Sequence, residues 1–410
     1  MATETVVLEG HIVDSLLLPK VLDLILDAGA DYRIDDVLIG KTNLDPSRAV
    51  IEVSHAEDDA LEALLEQLQV HGANRTTDGD ARLVPADQDG VLPAGFYSTT
   101  NLATEVRVDS HWVAVENPEM DCGLVVSGAP DHVRVRTVAM HRIRVGDGVV
   151  VGHNGVRVHA PEKPRDARAF EFMTSDVSSE KPKALLLARV AERVRTAKAR
   201  GGKILAVCGP AVVHTGAAPD VARLIRESWI DVLFAGNGFA THDMEANVLG
   251  TSLGVSVAEG TPIEGGHSNH IRVINEIRRH GSIAKAVAAG FVTGGVMFEC
   301  VQRAVPFVLA GSIRDDGPLP DTIADVVAAA DAMREHVPGV TVALMLASTL
   351  HAIATGNLLP SGVETFCVDI NQAVVTKLAD RGSHQALGIV TDVGPFVRQL
   401  ADHLTGTTEG

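Results

Sequence analysis

Aromatic side chains make up only 3% of this 410-residue chain, too few for the stacking platforms that grip single-stranded nucleic acid. Positive charge is also short. Thirty-five Lys and Arg stand against 53 Asp and Glu, a formal net charge of −18, whereas binding to phosphate backbones needs a basic face. Nucleic acid is excluded as a partner on both counts. The four cysteines, Cys122, Cys208, Cys300 and Cys367, are far apart and form no CxxC pair, which reads as reduced thiols in a cytoplasmic protein. The opening residues, MATETVVLEG, contain no basic region followed by an apolar run, so no secretory signal is read there. One stretch, Val337–Val363, lacks Asp, Glu, Lys and Arg over a length that can cross a bilayer. Pro338, Gly339, His351, Gly356, Asn357 and Pro360 interrupt it, so a buried strand and a buried helix are expected there instead of a membrane span.

What is present is 46% hydrophobic and 21% charged, the profile of a soluble globular protein, long enough for two to four domains. Three segments are read: 1–95, 96–164 and 165–410. In the first, strands at Thr5–Leu8, Tyr32–Ile39 and Ser47–Ser54 alternate with amphipathic helices at Leu16–Ala28 and Asp58–His71. That order gives a ferredoxin-like or regulatory α+β sandwich, and 78–96 reads as loop. The second segment, with short strands at Val106–Val108, Trp112–Val115, Gly123–Val126, Arg134–Val138 and Gly148–Val151, reads as a small β domain. The third alternates helices with apolar strands (KILAVC, DVLFA, PFVLA, VTVALML, ETFCV, LGIVT), which implies a parallel sheet covered by helices. No internal repeat is visible.

Ligands in such sheets bind outside the carboxyl ends of the strands. Here those ends carry Gly209-Pro210, Gly236-Asn237-Gly238, Ala347-Ser348-Thr349, Asp369-Ile370-Asn371 and Thr391-Asp392-Val393. Glycine lets main-chain N–H groups approach a pyrophosphate, and the start of the following helix favours its charge. Asp369 is either a carboxylate that grips a ribose or a cap for the helix expected over Gln372–Asp380. An ordinary G-x-G-x-x-G turn is missing, because Thr241 stands where the third glycine belongs. His267 and His270 flank a helix start where metal binding competes with capping by Ser268 or Asn269. His242, Asp243 and Glu245 are candidate acids and bases, or an acidic first helical turn. Arg314 either clamps a substrate carboxylate or staples its own turn, and Cys208 is read as packing.

The segments ENPEMDC (116–122), GPAVVHTG (209–216), AGNGFATHDME (235–245), GHSNHIRVINEIRRHGSI (266–283) and GSIRDDGPLPD (311–321) carry a resemblance over nearly the whole chain. The opening residues resemble the conserved region of the lysine-ketoglutarate reductase/saccharopine dehydrogenase bifunctional enzymes (LOR/SDH). The remainder is similar to the archaeal-type ornithine cyclodeaminases and to the C-terminal half of cyanobacterial bifunctional arginine-degrading enzymes. The guanidine-removing domain of the latter is absent, which argues against arginine as substrate. The resemblance implies an α/β fold with a Rossmann-like parallel sheet, a tightly held NAD in a pocket similar to that of deoxyhypusine synthase, and a cyclising ammonia-lyase that converts L-ornithine to L-proline. Carried onto this chain, the nucleotide contacts are Asn237, Gly238, Asp316, Ala347, Ser348, Thr349, Leu350, His351, Asp369, Ile370, Asp392 and Val393. The chemistry needs a cation for the α-carboxylate, Arg272 or Arg314, and a group that moves protons, His242, Asp243 or Glu245. No metal is expected. The expected partners are a small basic amino acid and further copies of the chain. A sensing protein that binds amino acid or NAD without turnover, and a transferase that passes through an oxidised imine, are the competing readings.

Overall fold

The computed structural model describes residues 2–13, 16–41, 45–76, 79–129, 132–159, 182–252, 255–256, 268–315, 317–374 and 386–406. They fall into two compact units, Met1–Ser175 with Leu359–Gly362, and Asp176–Leu358 with Val363–Gly410. The expected linker at 161–166 and most of the helix expected over Gln372–Asp380 lie outside the described residues.

The first unit opens with β1 (Ala2–Gly10), α1 (Leu17–Asp27), β2 (Asp31–Leu38), β3 (Ser47–His55), α2 (Asp58–Val70) and β4 (Ala73–Arg75). The sheet order β2-β3-β1-β4, antiparallel throughout, is the ferredoxin-like arrangement anticipated from the element order. Alternation places Val6 and Leu8 on one face, opposite Ile51 and Ala49. Val21 and Ile25 of α1, with Leu61, Leu65 and Leu68 of α2, join the same core. Pro19 is accommodated because it sits in the first turn of α1, where its missing N–H has no partner to lose.

The same unit carries a seven-stranded sheet of β5 (Arg82–Pro85), β6 (Thr104–Val108), β7 (His111–Glu116), β8 (Gly123–Ser127), β9 (Arg134–Val138), β10 (Gly148–Val151) and β11 (Val156–Val158), in the order β11-β6-β7-β9-β8-β10-β5. β5 lies in the stretch read as loop. Its side chains are mostly exposed and it pairs only with β10, so no alternation marks it in the sequence. The amides of Gln69 and Asn74 donate to the Val156 and Val158 carbonyls at 2.6 and 2.7 Å and tie the two sheets together.

The second unit comprises α3 (Pro182–Ala199), β12 (Lys203–Cys208), α4 (Ala211–His214), α5 (Ala218–Arg226), β13 (Val232–Gly236), α6 (Asn237–Leu249), the two-residue strands β14 (Thr251–Ser252) and β15 (Val255–Ser256), α7 (Asn269–His280), α8 (Ile283–Ala288), α9 (Val296–Gln302), β16 (Phe307–Ala310), β17 (Thr322–Ile323), α10 (Val326–His336), β18 (Val340–Leu346), α11 (Leu350–Leu358), β19 (Glu364–Asp369), β20 (Ala386–Val390) and α12 (Val393–Thr405). Seven strands form a parallel sheet in the order β17-β16-β13-β12-β18-β19-β20. Ile204–Cys208 and Val342–Leu346 are buried on both faces, which is why these strands read as unbroken apolar runs. The uncharged stretch 337–363 resolves into β18 and α11. Among the described residues no helix is long and apolar enough to cross a membrane. All four cysteines are free and buried.

Candidate functional site

The chain lays strands outward from β12 through β13 and β16 to β17, then returns to place β18 on the other side of β12. The loops leaving β12 and β18 therefore diverge, and the crevice between their carboxyl ends is where open parallel sheets take ligands. Two glycines shape this edge. A Cβ on Gly209 would lie 1.8 Å from the Ala347 carbonyl oxygen, so the two loop backbones approach as only glycine permits. A Cβ on Gly236 would lie 2.8 Å from Cε1 of His351, whose Nε2 reaches across to the Ala310 carbonyl at 3.4 Å. Burial lowers the pKa of that imidazole against the opposing pull of Ala310 and Asp315. Ala347 itself is held in the left-handed region at φ 46°, with its N–H bonded to the Val368 carbonyl. Such local strain persists only where its surroundings enforce it. A Gly209→Ala variant should therefore be destabilised and should bind ligand at this edge more weakly, read by thermal unfolding and calorimetry.

The next strand tips are also polar. Oδ1 of Asp369 accepts from the Asn371 N–H at 2.8 Å, and its second oxygen accepts no hydrogen bond from the described residues. Asn371, not Asp369, accepts from the N–H of Ala373. Asp392 caps α12 through the Gly394 N–H at 2.8 Å, and Val393 is buried behind it. Ser348 is buried and Thr349 exposed, and the apolar side chains of Leu350 and Ile370 stand 74% and 76% exposed at adjacent strand ends. On the other flank, Oδ1 of Asn237 accepts from the Leu319 N–H at 2.9 Å and the Thr322 hydroxyl at 3.1 Å, fastening the 311–321 loop to the tip of β13. Asp315 closes that loop's turn onto the N–H of Ser312 at 2.7 Å, the Arg314 N–H donates to the Ser312 hydroxyl at 3.2 Å, and Arg314 is exposed. Gly238 follows Asn237 in the first turn of α6, and Asp316 lies outside the described residues.

α6 begins directly at the tip of β13 and is buried on almost every side, so its charged residues need partners. Helical geometry sends neighbouring residues to different faces. Asp243 faces α9: its two oxygens accept from the N–H groups of Val296 and Met297, each at 2.9 Å. Burial pushes its pKa up to about 6 against those two bonds. Gly295 is required beside it, since a Cβ there would lie 2.7 Å from the carboxylate. His242 and Glu245, three residues apart, share the other face. His242 Nδ1 lies 2.9 Å from one oxygen of the fully buried Glu245, and the Thr251 hydroxyl lies 2.8 Å from the other. A carboxylate only accepts, so both partners donate to it. The Thr251 hydroxyl in turn accepts from the Asn269 amide at 2.9 Å.

His214, at the end of α4 just past the tip of β12, completes the group. Its ring centroid is 5.0 Å from that of His242, and its Nδ1 lies 2.8 Å from the Ser252 hydroxyl. His270 of α7 stands 6.2 Å from His242 on another side. Burial first, and then the charge of His242, lower the pKa of His214 against the pull of Glu245. Sequence reasoning singled out His242 and Glu245, named Asn269 only as a helix cap, and passed over His214, Thr251 and Ser252; the signal for His214 was its place after an apolar strand. Ser268 precedes α7 without a side-chain cap bond, Arg272 is exposed on that helix, and His267 lies outside the described residues. Cys208 is fully buried, and burial raises its thiol's pKa, as suits a packing residue. Among the described residues no group of His, Cys, Asp and Glu is arranged to hold a metal ion.

Residues 3–102 match the model of the LOR/SDH bifunctional enzyme conserved region. Residues 103–187 match the first region of the ArgZ-like arginine dihydrolase C-terminal part, and residues 188–400 match its Rossmann-fold region. The chain is 51% identical to an ornithine cyclodeaminase of Methanopyrus kandleri over 98% of its own length and 97% of that protein's. Apo ArgZ, an arginine dihydrolase from the ornithine–ammonia cycle in cyanobacteria, superposes with a TM-score of 0.84 at 38% identity, covering all of this chain and 59% of ArgZ. AgrE in ternary complex with ornithine and NAD+ matches at 41% identity with a TM-score of 0.54, covering 99% of this chain and 58% of AgrE.

Proposed function

Because the chain belongs to the family of the archaeal and ArgZ-like ornithine cyclodeaminases, we propose that it converts L-ornithine to L-proline and ammonia with NAD as a recycled cofactor. The observation that carries this reading is the switch point of the parallel sheet. There, Gly209 and Gly236 allow close approach of the Ala347 main chain and the His351 ring, Ala347 is left-handed, and Asp369 stands on the adjacent strand tip with one oxygen unused by the described residues. These features fit a dinucleotide. Asp369 would accept from the ribose hydroxyls. Ala347, Ser348, Thr349 and His351 would line its path, and Leu350 and Ile370 offer exposed apolar surface for a flat ring. Gly238, Asp316 and Val393 complete the set. Asn237 would contribute main chain, since its side-chain oxygen is already engaged, and Asp392 would do so beside the oxygen that caps α12.

A bound NAD supplies an acceptor, and later a donor, for one hydride, so none is consumed. The chain's own residues supply the rest. Arg314 on its fastened loop and Arg272 on α7 are the exposed cations for the α-carboxylate. His242, oriented by Glu245, moves protons, while Asp243 holds α9 with both oxygens. We place the protein in the cytoplasm, as a homo-oligomer.

Two measurements test this. Mass spectrometry of the denatured protein should find released dinucleotide, and ornithine should yield proline without added reductant. Failure to bind NAD would sink the reading. Asp369→Ala should weaken NAD binding by about 1–3 kcal/mol, by isothermal calorimetry; unchanged affinity would leave Asp369 a turn-forming residue.

A further inference from the structure

The cluster at the β12 and β13 tips holds more titratable groups than a single acid or base requires. Ornithine, a monocation, becomes zwitterionic proline and an ammonium ion, so the conversion proposed above takes up and releases no net proton. Every proton lifted must be set down within the site, and three of these groups lie together there. His242 is fixed through Nδ1 onto buried Glu245, which Thr251 and Asn269 hold from behind. Its Nε2 therefore remains for exchange, and the neighbouring His214 ring is oriented by Ser252.

Resting on that reading of the site, we propose that His214 and His242 act as a two-imidazole pair that carries a proton from the ring-closing nitrogen to the departing one. The substrate enters this step already oxidised at Cα, its electrons held by the dinucleotide. The δ-nitrogen attacks Cα, forming the ring bond and becoming cationic. Neutral His214 takes a proton from that nitrogen, and protonated His242 gives one to the α-nitrogen. The Cα–Nα bond then breaks, its electron pair leaving with ammonia, while the ring nitrogen's lone pair closes the cyclic imine. One proton is taken and one is given. The pair resets when the proton passes between the rings, whose centroids are 5.0 Å apart. The Glu245 carboxylate lies against His242 and not against His214, while burial and the charge of His242 lower the pKa of His214. Among the described residues His270 from α7 also faces His242, while Asp243, on the same helix as His242, is directed to α9. Glu245 and Thr251 are positioning residues.

The test uses the full chain with its NAD. His214→Ala should form proline at least about 100-fold more slowly, with unchanged NAD affinity and partial recovery on adding free imidazole. Independently of turnover, histidine NMR should show the His214 pKa rising in His242→Gln, because the ring that repels its proton is gone. A His214→Ala protein that matches wild type in rate and pH profile overturns the pair. So does a slow one that imidazole does not rescue, with the His214 pKa unmoved in His242→Gln. A wild-type protein that makes no proline at all would count against the proposed reaction itself; in that case an unmoved His214 pKa would also refute the coupling of the two rings.

Discussion

Replacing His242 by glutamine should lower ornithine turnover by about 10²–10⁴-fold while leaving the bound dinucleotide in place. The expectation follows from a chain of donors whose directions are fixed. Asn269 donates to Thr251, Thr251 donates to Glu245, and His242 Nδ1 donates to the remaining Glu245 oxygen. That leaves Nε2 as the exchanging atom, in a ring that cannot rotate without abandoning a buried carboxylate. Glutamine preserves a donor toward Glu245 but cannot carry a proton. The effect should appear in kcat and not in NAD affinity, because the carboxylate assigned to the ribose, Asp369, is on the far side of the switch point. Rates of proline formation measured beside calorimetric NAD titrations separate the two.

Asp243→Ala should cost about 2–5 kcal/mol of stability, read by denaturant unfolding, because it leaves two buried N–H groups at the start of α9 without acceptors and opens a cavity beside Gly295. The pH dependence has a definite sign. Burial raises the folded-state pKa of Asp243 from 3.8 to about 6, so its contribution to stability is full below about pH 4 and is lost as pH rises through about 6. The loss amounts to about 3 kcal/mol at most. Asp243→Asn removes the titration, so the stability advantage of wild type over this variant should shrink across that interval. An advantage independent of pH would mean that Asp243 is already ionised well below pH 6 in the folded protein.

Those two predictions concern neighbours that the sequence could not tell apart. His242, Asp243 and Glu245 form one polar cluster in the letters, and helical phase alone sends Asp243 to α9 and the other two toward β14. The core of the parallel sheet was plain to read because β12, β18 and β19 are buried on both faces, which demands unbroken apolar runs, and the ends of β12 and β19 were marked by glycine and aspartate. The four-stranded order of the first unit followed from helices with clear apolar spacing. β5 escaped because an exposed edge strand carries no alternation, and β14 and β17 because two residues are too few to carry a period. His214 was illegible for a different reason: it meets His242 only through the packing of α4 on α6, and nothing local to GPAVVHTG records that. Asp369 stood between two roles in the sequence. The structure gives the cap of the following turn to Asn371 and leaves one Asp369 oxygen unused by the described residues.

In the proposed reaction one hydride leaves the substrate carbon and returns to it within the same protein. Ornithine deuterated at Cα, supplied to the purified protein without added dinucleotide, tests it most directly. Proline that keeps the deuterium at Cα is the expected result. Proline that has exchanged that deuterium for solvent hydrogen, or none formed by protein carrying NAD, would contradict it.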